Sequence, residues 1–173
     1  MEKLPSIKEN SIEKPLFLYH GTPQKNLESV DPKIKTFHKK EKELVFASPD
    51  RKVAISYLAK GDYSWSAGIY NHEYFIVLPI TKQEFKENDS GGAVYIFNSK
   101  NFKTTNDRKD YEWVSEQKEK PIQKEEFVSA LETIESNGIG MYFLDNYENY
   151  NKYCSIKSIS TKTAHEFLQN FRK

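Results

Sequence analysis

An α+β domain, with strands and scattered helices that do not alternate regularly, is the fold class this sequence predicts, and three observations predict it. The 173 residues are about one domain's length, enough to bury a single core. Short runs rich in β-branched and aromatic residues recur at 16–20, 44–47, 74–80, 93–97, 111–115 and 139–144. Helical signals stand at only a few places among them, out of step with the strand-helix-strand rhythm of a parallel doubly wound fold.

The elements follow in chain order. Residues 1–14 (MEKLPSIKENSIEK) are polar and lack a signal peptide's apolar segment, so they read as a loose tail before a single domain over 15–173. The stretch LFLYHGTP is a strand ending at His20 and Gly21. Thr22-Pro23 then starts a short helical turn that ends before Asp31-Pro32, because the residue before a proline avoids the helical region. The basic run from Lys33 to Lys40 reads as a solvated loop in preference to a phosphate clamp, within a polar loop over 37–43.

Val45-Phe46-Ala47 forms the next strand, and Ser48-Pro49-Asp50 supplies an N-cap, a proline at the first helical position and an acid in the first turn. Val53, Ala54, Tyr57 and Leu58 share a face of that helix, which Gly61 closes. A loop at 60–67 leads to the longest apolar run, Phe75 to Ile80, far short of the roughly 20 residues a bilayer demands. Asn88-Asp89-Ser90, although a glycosylation sequon, reads as a turn into Gly91-Gly92.

After a polar loop at 99–110, alternation in the strand 111–115 places Glu112 with Val114 on one face and Tyr111 with Trp113 on the other. A helix over 124–136 carries Phe127, Ala130, Leu131 and Ile134 as a core stripe, stopped by Asn137-Gly138. An Asn- and Tyr-rich loop at 145–150 suits partner contacts. A last helix from Thr161 repeats the stripe with Ala164, Phe167, Leu168 and Phe171.

Composition excludes several classes. With 26 Lys+Arg against 25 Asp+Glu, the chain lacks the overall basic footprint of a dedicated nucleic-acid binder. Cys154 alone cannot form an internal disulfide; it reads as a buried or semi-buried structural thiol in a cytoplasmic protein, although export without a signal is compatible with it. His165-Glu166-Phe167-Leu168-Gln169 has Gln169 where a zinc helix needs its second histidine, and Gly138-Ile139-Gly140 lacks the third glycine of a dinucleotide turn, so no metal is expected.

Three pieces remain: Tyr19-His20-Gly21-Thr22, Val45-Phe46-Ala47-Ser48 with the helix to Tyr57, and Tyr111-Glu112-Trp113-Val114-Ser115. Each also has an ordinary explanation: His20 as a strand-end residue, Ser48 as a helix cap, Tyr57 as core, Glu112 as a solvated carboxylate.

In this order the three pieces resemble the signature of the ADP-ribosyltransferase superfamily, in its histidine–tyrosine–glutamate branch of poly(ADP-ribose) polymerases and diphtheria-type toxins. The resemblance implies a split β-sandwich with peripheral helices and NAD as substrate. It implies that His20 holds a ribose hydroxyl and that the backbone of Gly21 holds the nicotinamide carboxamide. Tyr19, Thr22, Phe46 and Ser48 would line the pocket, Tyr57 would stack on the nicotinamide, and Glu112 would be the catalytic carboxylate. Val45 stands where the family has tyrosine, and Val114 where arginine-modifying relatives carry a second glutamate. The acceptor implied is an unidentified protein or nucleic acid, or water. The alternatives are a non-catalytic nucleotide- or protein-binding domain on the same scaffold, and an RNA 2′-phosphotransferase, whose basic cluster His38-Lys39-Lys40 matches only loosely.

Overall fold

The computed structural model describes residues 13–37, 40–105 and 107–171, so most of the tail expected over 1–14 lies outside the described residues. These residues form one mixed α+β unit of three small sheets with helices around and between them.

The first sheet has the order β1-β6-β8, with β1 (Phe17–Thr22) and β8 (Gln123–Phe127) both antiparallel to the central β6 (Gly92–Asn98). The second has the order β2-β3-β7. Here β2 (Lys33–Phe37) and β3 (Lys40–Ala47) make a hairpin, and β7 (Trp113–Ser115) pairs with the C-terminal end of β3. The third, β4-β5-β9, joins β4 (Ser66–Tyr70) to β5 (Glu73–Leu78), which runs parallel to β9 (Gly140–Phe143).

Alternation along β5 explains the layering. Ile76 and Leu78 face a core with Ala54, Ile55 and Leu58 of the helical segment after β3, while Phe75 and Val77 face a second core with Tyr153, Ala164 and Leu168 near the C-terminus. On β6, Val94 joins the first core, and Ala93, Tyr95 and Phe97 face a third with Leu18, Val45 and Trp113. Helix α1 (Arg51–Ser56), continued by the 3-10 turn Tyr57–Ala59, therefore lies between two sheets. Its N-terminal end is pinned twice: Asp50 caps it and also accepts from the Tyr74 hydroxyl, and Arg51 pairs with Glu125 and bonds Asn137.

Several sequence expectations are corrected. The cap of α1 is Asp50, not Ser48; Ser48 Oγ instead accepts from the Asp50 N–H at 3.1 Å, tightening the approach to the helix. No helix follows Thr22-Pro23, because the buried Tyr95 hydroxyl donates to the Gln24 carbonyl and accepts from the Leu27 N–H, both at 3.0 Å, taking groups a helix would use. The helix expected over 124–136 is a strand, β8, followed by the shorter α3 (Ala130–Ser136). The basic run from Lys33, expected as a solvated loop, and the loop expected over 37–43 are instead parts of the β2–β3 hairpin, although His38 and Lys39 lie outside the described residues. Three further elements stand where none was expected: β4, α2 (Lys82–Asn88) and α4 (Tyr147–Ile159), the last beginning inside the supposed loop 145–150 and carrying Cys154 on its exposed face, not buried as expected. The final helix, α5 (Thr161–Leu168), starts where its sequence indicates.

Candidate functional site

The site begins where two strands part. Along β1, successive residues aim their backbone groups at alternate edges. Tyr19 exchanges both backbone hydrogen bonds with Ser48, just beyond β3, at 2.8 Å each. The next rung of that antiparallel ladder would join Gly21 to Phe46, but it is not made. Instead the Phe46 carbonyl accepts from His20 Nδ1 at 2.6 Å. From there β1 and β3 diverge, and alternation turns the N–H and C=O of Gly21, like those of Tyr19, off β6 and toward the gap.

The gap is a cleft of about 370 Å³, within the usual range for small-molecule sites, continuous with an inner recess of about 50 Å³. His20, Gly21, Phe46, Tyr57 and Glu112 line both parts. Tyr19 and Ser48 line the recess, and Thr22 the outer part. Every residue singled out in the sequence thus borders one continuous space, although the residues come from three segments far apart in the chain.

Each side chain has a definite setting. A carbonyl can only accept, so the proton of a neutral His20 ring sits on Nδ1, and Nε2 carries a lone pair. Burial, aided by the positive charges of Lys33 and Lys60, holds the imidazole below its ordinary value against the opposing bond from Phe46. His20 is therefore a neutral acceptor at pH 7.

Tyr57 does not join the core stripe with Ala54 and Leu58. It is 38% exposed, its ring held edge-on by Trp65 with centroids 4.9 Å apart. The end of α1 tightens into a 3-10 turn at this residue, which rotates the ring out of the helix's buried face into the cleft. Desolvation by the cleft walls, and then the nearby charge of Glu112, raise its hydroxyl above the ordinary tyrosine value.

Glu112 lies one residue before β7 and not within a strand as alternation suggested. It closes a turn in which its N–H donates to the Arg108 carbonyl at 2.8 Å, and its carbonyl accepts from Thr104 Oγ1. Its carboxylate is paired through Oε1 with Arg108 at 2.5 Å. That contact fixes one oxygen at the cleft wall.

Gly21 has a packing reason beyond any ligand. A Cβ there would lie 1.7 Å from the Ala54 carbonyl oxygen, so glycine is what lets β1 sit directly on α1. Val45, in place of the family's tyrosine, is 1% exposed and forms part of the cleft floor together with the core beneath β1 and β6.

Three residues at the site were not read from the sequence as site residues: Arg108, Lys33 and Lys60. Arg108 was findable from its i,i+4 spacing to Glu112. Lys33 and Lys60 lie on elements whose approach depends on the tertiary fold. No cluster of three or more potential metal ligands occurs among the described residues. No protein-family model, no curated protein and no solved structure matches the chain.

Proposed function

We propose that this chain cleaves NAD and transfers its ADP-ribose, on a split β-sandwich of the ADP-ribosyltransferase type. The observation that carries the reading is convergence: His20, Tyr57 and Glu112 line one cleft at the point where β1 and β3 separate. The donor set suits the nicotinamide riboside half of NAD. Gly21 offers a backbone donor and acceptor to the carboxamide, Tyr57 a ring face for the pyridinium, and His20 Nε2 an acceptor for a ribose hydroxyl.

Glu112 does the chemistry. As the bond between the ribose anomeric carbon and the nicotinamide nitrogen breaks, positive charge grows on the sugar and nicotinamide leaves neutral. A carboxylate already fixed beside that carbon stabilises the charge without reorganising, which is where an enzyme gains most. Arg108 holds Oε1, so Oε2 is the oxygen left for the ribose. A nucleophile then bonds to the anomeric carbon and gives up its proton to solvent.

The test is release of nicotinamide from NAD, followed by chromatography. The wild-type chain should release it, and Glu112→Gln should lower the rate roughly 10²- to 10³-fold while leaving the thermal midpoint unchanged. Absence of release by wild type, with NAD still bound, would favour a non-catalytic nucleotide-binding domain. That second reading draws on the same Arg108–Glu112 pair, which engages one of the two carboxylate oxygens.

A further inference from the structure

The cleft does not end at its mouth. A wider groove of about 710 Å³ continues from it, and the two share four lining residues: Thr22, Gln24, Lys33 and Lys60. Two lysines that are 27 positions apart in sequence thus stand together where the spaces join. Lys33 opens β2 and Lys60 follows the 3-10 turn after α1. Both act on His20 as positive charges, which puts them within electrostatic reach of the cleft's inner end.

We infer that Lys33 and Lys60 form an anion clamp for the diphosphate of a dinucleotide, at the junction between the His20–Glu112 cleft and the outer groove. The inference rests on the reading of this cleft as a nucleotide site. Its order of parts follows from the geometry: a nicotinamide riboside half seated against Tyr57 and Glu112 leads outward past His20, so the next chemical group meets the lysines. Beyond them the groove must take the second nucleoside.

Most acidic residues of the two spaces have identified partners. Asp31 is paired with Lys118 at 2.9 Å. Glu84 accepts from Thr81 in the α2 capping box, and Asp89 accepts from backbone N–H groups at the start of α3. Each of these carboxylates, like Glu112 with Arg108, has a partner of its own, and Asp62 lies on the groove side only. A flexible ammonium is the natural partner for a mobile, doubly charged diphosphate, since it meets the charge without requiring one planar geometry.

Calorimetry on the full chain with ADP, inorganic pyrophosphate and nicotinamide separates the outcomes. ADP should bind, and Lys33→Ala and Lys60→Ala should each weaken it about 5- to 10-fold, the range of a charge-assisted hydrogen bond near solvent. Lys→Arg at either site should restore most of the loss, and nicotinamide binding should not change. If ADP binds with this dependence but nicotinamide is never released from NAD, the clamp stands and the transferase reading falls. If NAD is cleaved while the double alanine variant keeps wild-type KM and wild-type ADP affinity, the clamp falls and the transferase reading stands. No ADP binding to the wild type at millimolar concentration also overturns the clamp. Circular dichroism of each variant checks the fold, and both lysines are exposed in the native state.

Discussion

Replacing Gly21 with alanine tests the geometry of the site more sharply than removing any of its polar groups. The added methyl would stand 1.7 Å from the Ala54 carbonyl oxygen, 2.6 Å from its carbon and 3.3 Å from its Cα. All three are backbone atoms of α1, so no side-chain rotation relieves them. To bring the nearest contact out to 3.0 Å, strand and helix must separate by about 1.3 Å. Forcing bulk into a packed site costs typically 1–3 kcal/mol, and a clash with backbone on both sides belongs at the upper end, about 3 kcal/mol. For a chain of this length that corresponds to a fall of roughly 6–12 °C in thermal midpoint. Helix α1 carries Tyr57 at its end, so the same shift widens the recess and should raise KM for NAD more than it lowers kcat. The obstacle is a carbonyl and not the Ala54 methyl, hence Ala54→Gly in the same chain should not rescue Gly21→Ala and should cost a further 0.5–1 kcal/mol or so. Thermal unfolding followed by circular dichroism decides it. A Gly21→Ala midpoint within about 2 °C of wild type, or rescue by Ala54→Gly, would refute the close approach.

Other consequences concern charge and stacking. Below the ordinary 6.5 the unfolded chain protonates its histidine, whereas the desolvated, half-buried His20 resists protonation. Stability should therefore fall as pH drops below 6.5, by at most about 1.4 kcal/mol per pH unit, and urea midpoints of His20→Gln should show a flatter slope in that window; an identical slope would remove His20 as the cause. Asp89 is raised by burial but lowered further by the N–H groups of Leu131, Ala130 and Gly91 and by Ser129, so its carboxyl lies below the ordinary 3.8. Its contribution is present above that value and lost as pH falls through the lowered one; at pH 7 Asp89→Ala should cost about 2 kcal/mol by leaving those donors unsatisfied, measured by urea unfolding. Tyr57→Phe keeps the ring and should leave KM for NAD within about twofold, whereas Tyr57→Ala should raise it roughly 3- to 10-fold, the value of one aromatic pair.

How much of this was legible depended on whether a signal was local. Six strands were readable because short β-branched and aromatic runs mark them, and α5 because its stripe and its start coincide. The stripe of Phe127, Ala130, Leu131 and Ile134 is equally real, since all four pack into one core, but it crosses two elements. Residues 123–127 pair with the otherwise open edge of β6, and Asp89 captures the N–H groups of Ala130 and Leu131 at 2.7 and 3.0 Å, starting the helix there. A tertiary partner outweighed propensity. Helix α2 carries a full capping box from Thr81 to Glu84 that was there to be read, whereas α4 buries only Tyr150 and Tyr153 among polar residues and had little periodicity to show. At the site, residue types and order pointed to the cleft; the exposure of Tyr57, the pairing of Glu112 with Arg108 and the arrival of Lys33 and Lys60 depend on how distant segments meet.

Tyr19 and Ser48 form an isolated bridge between β1 and β3, and the His20–Phe46 contact is the strut that stands in place of the next rung. Without that strut the Phe46 carbonyl would lie open to the Gly21 N–H, its partner in a continued antiparallel ladder. An imidazole in this place thus guards against self-closure: the edge that greets a ligand is the same edge that the protein would otherwise seal with its own backbone.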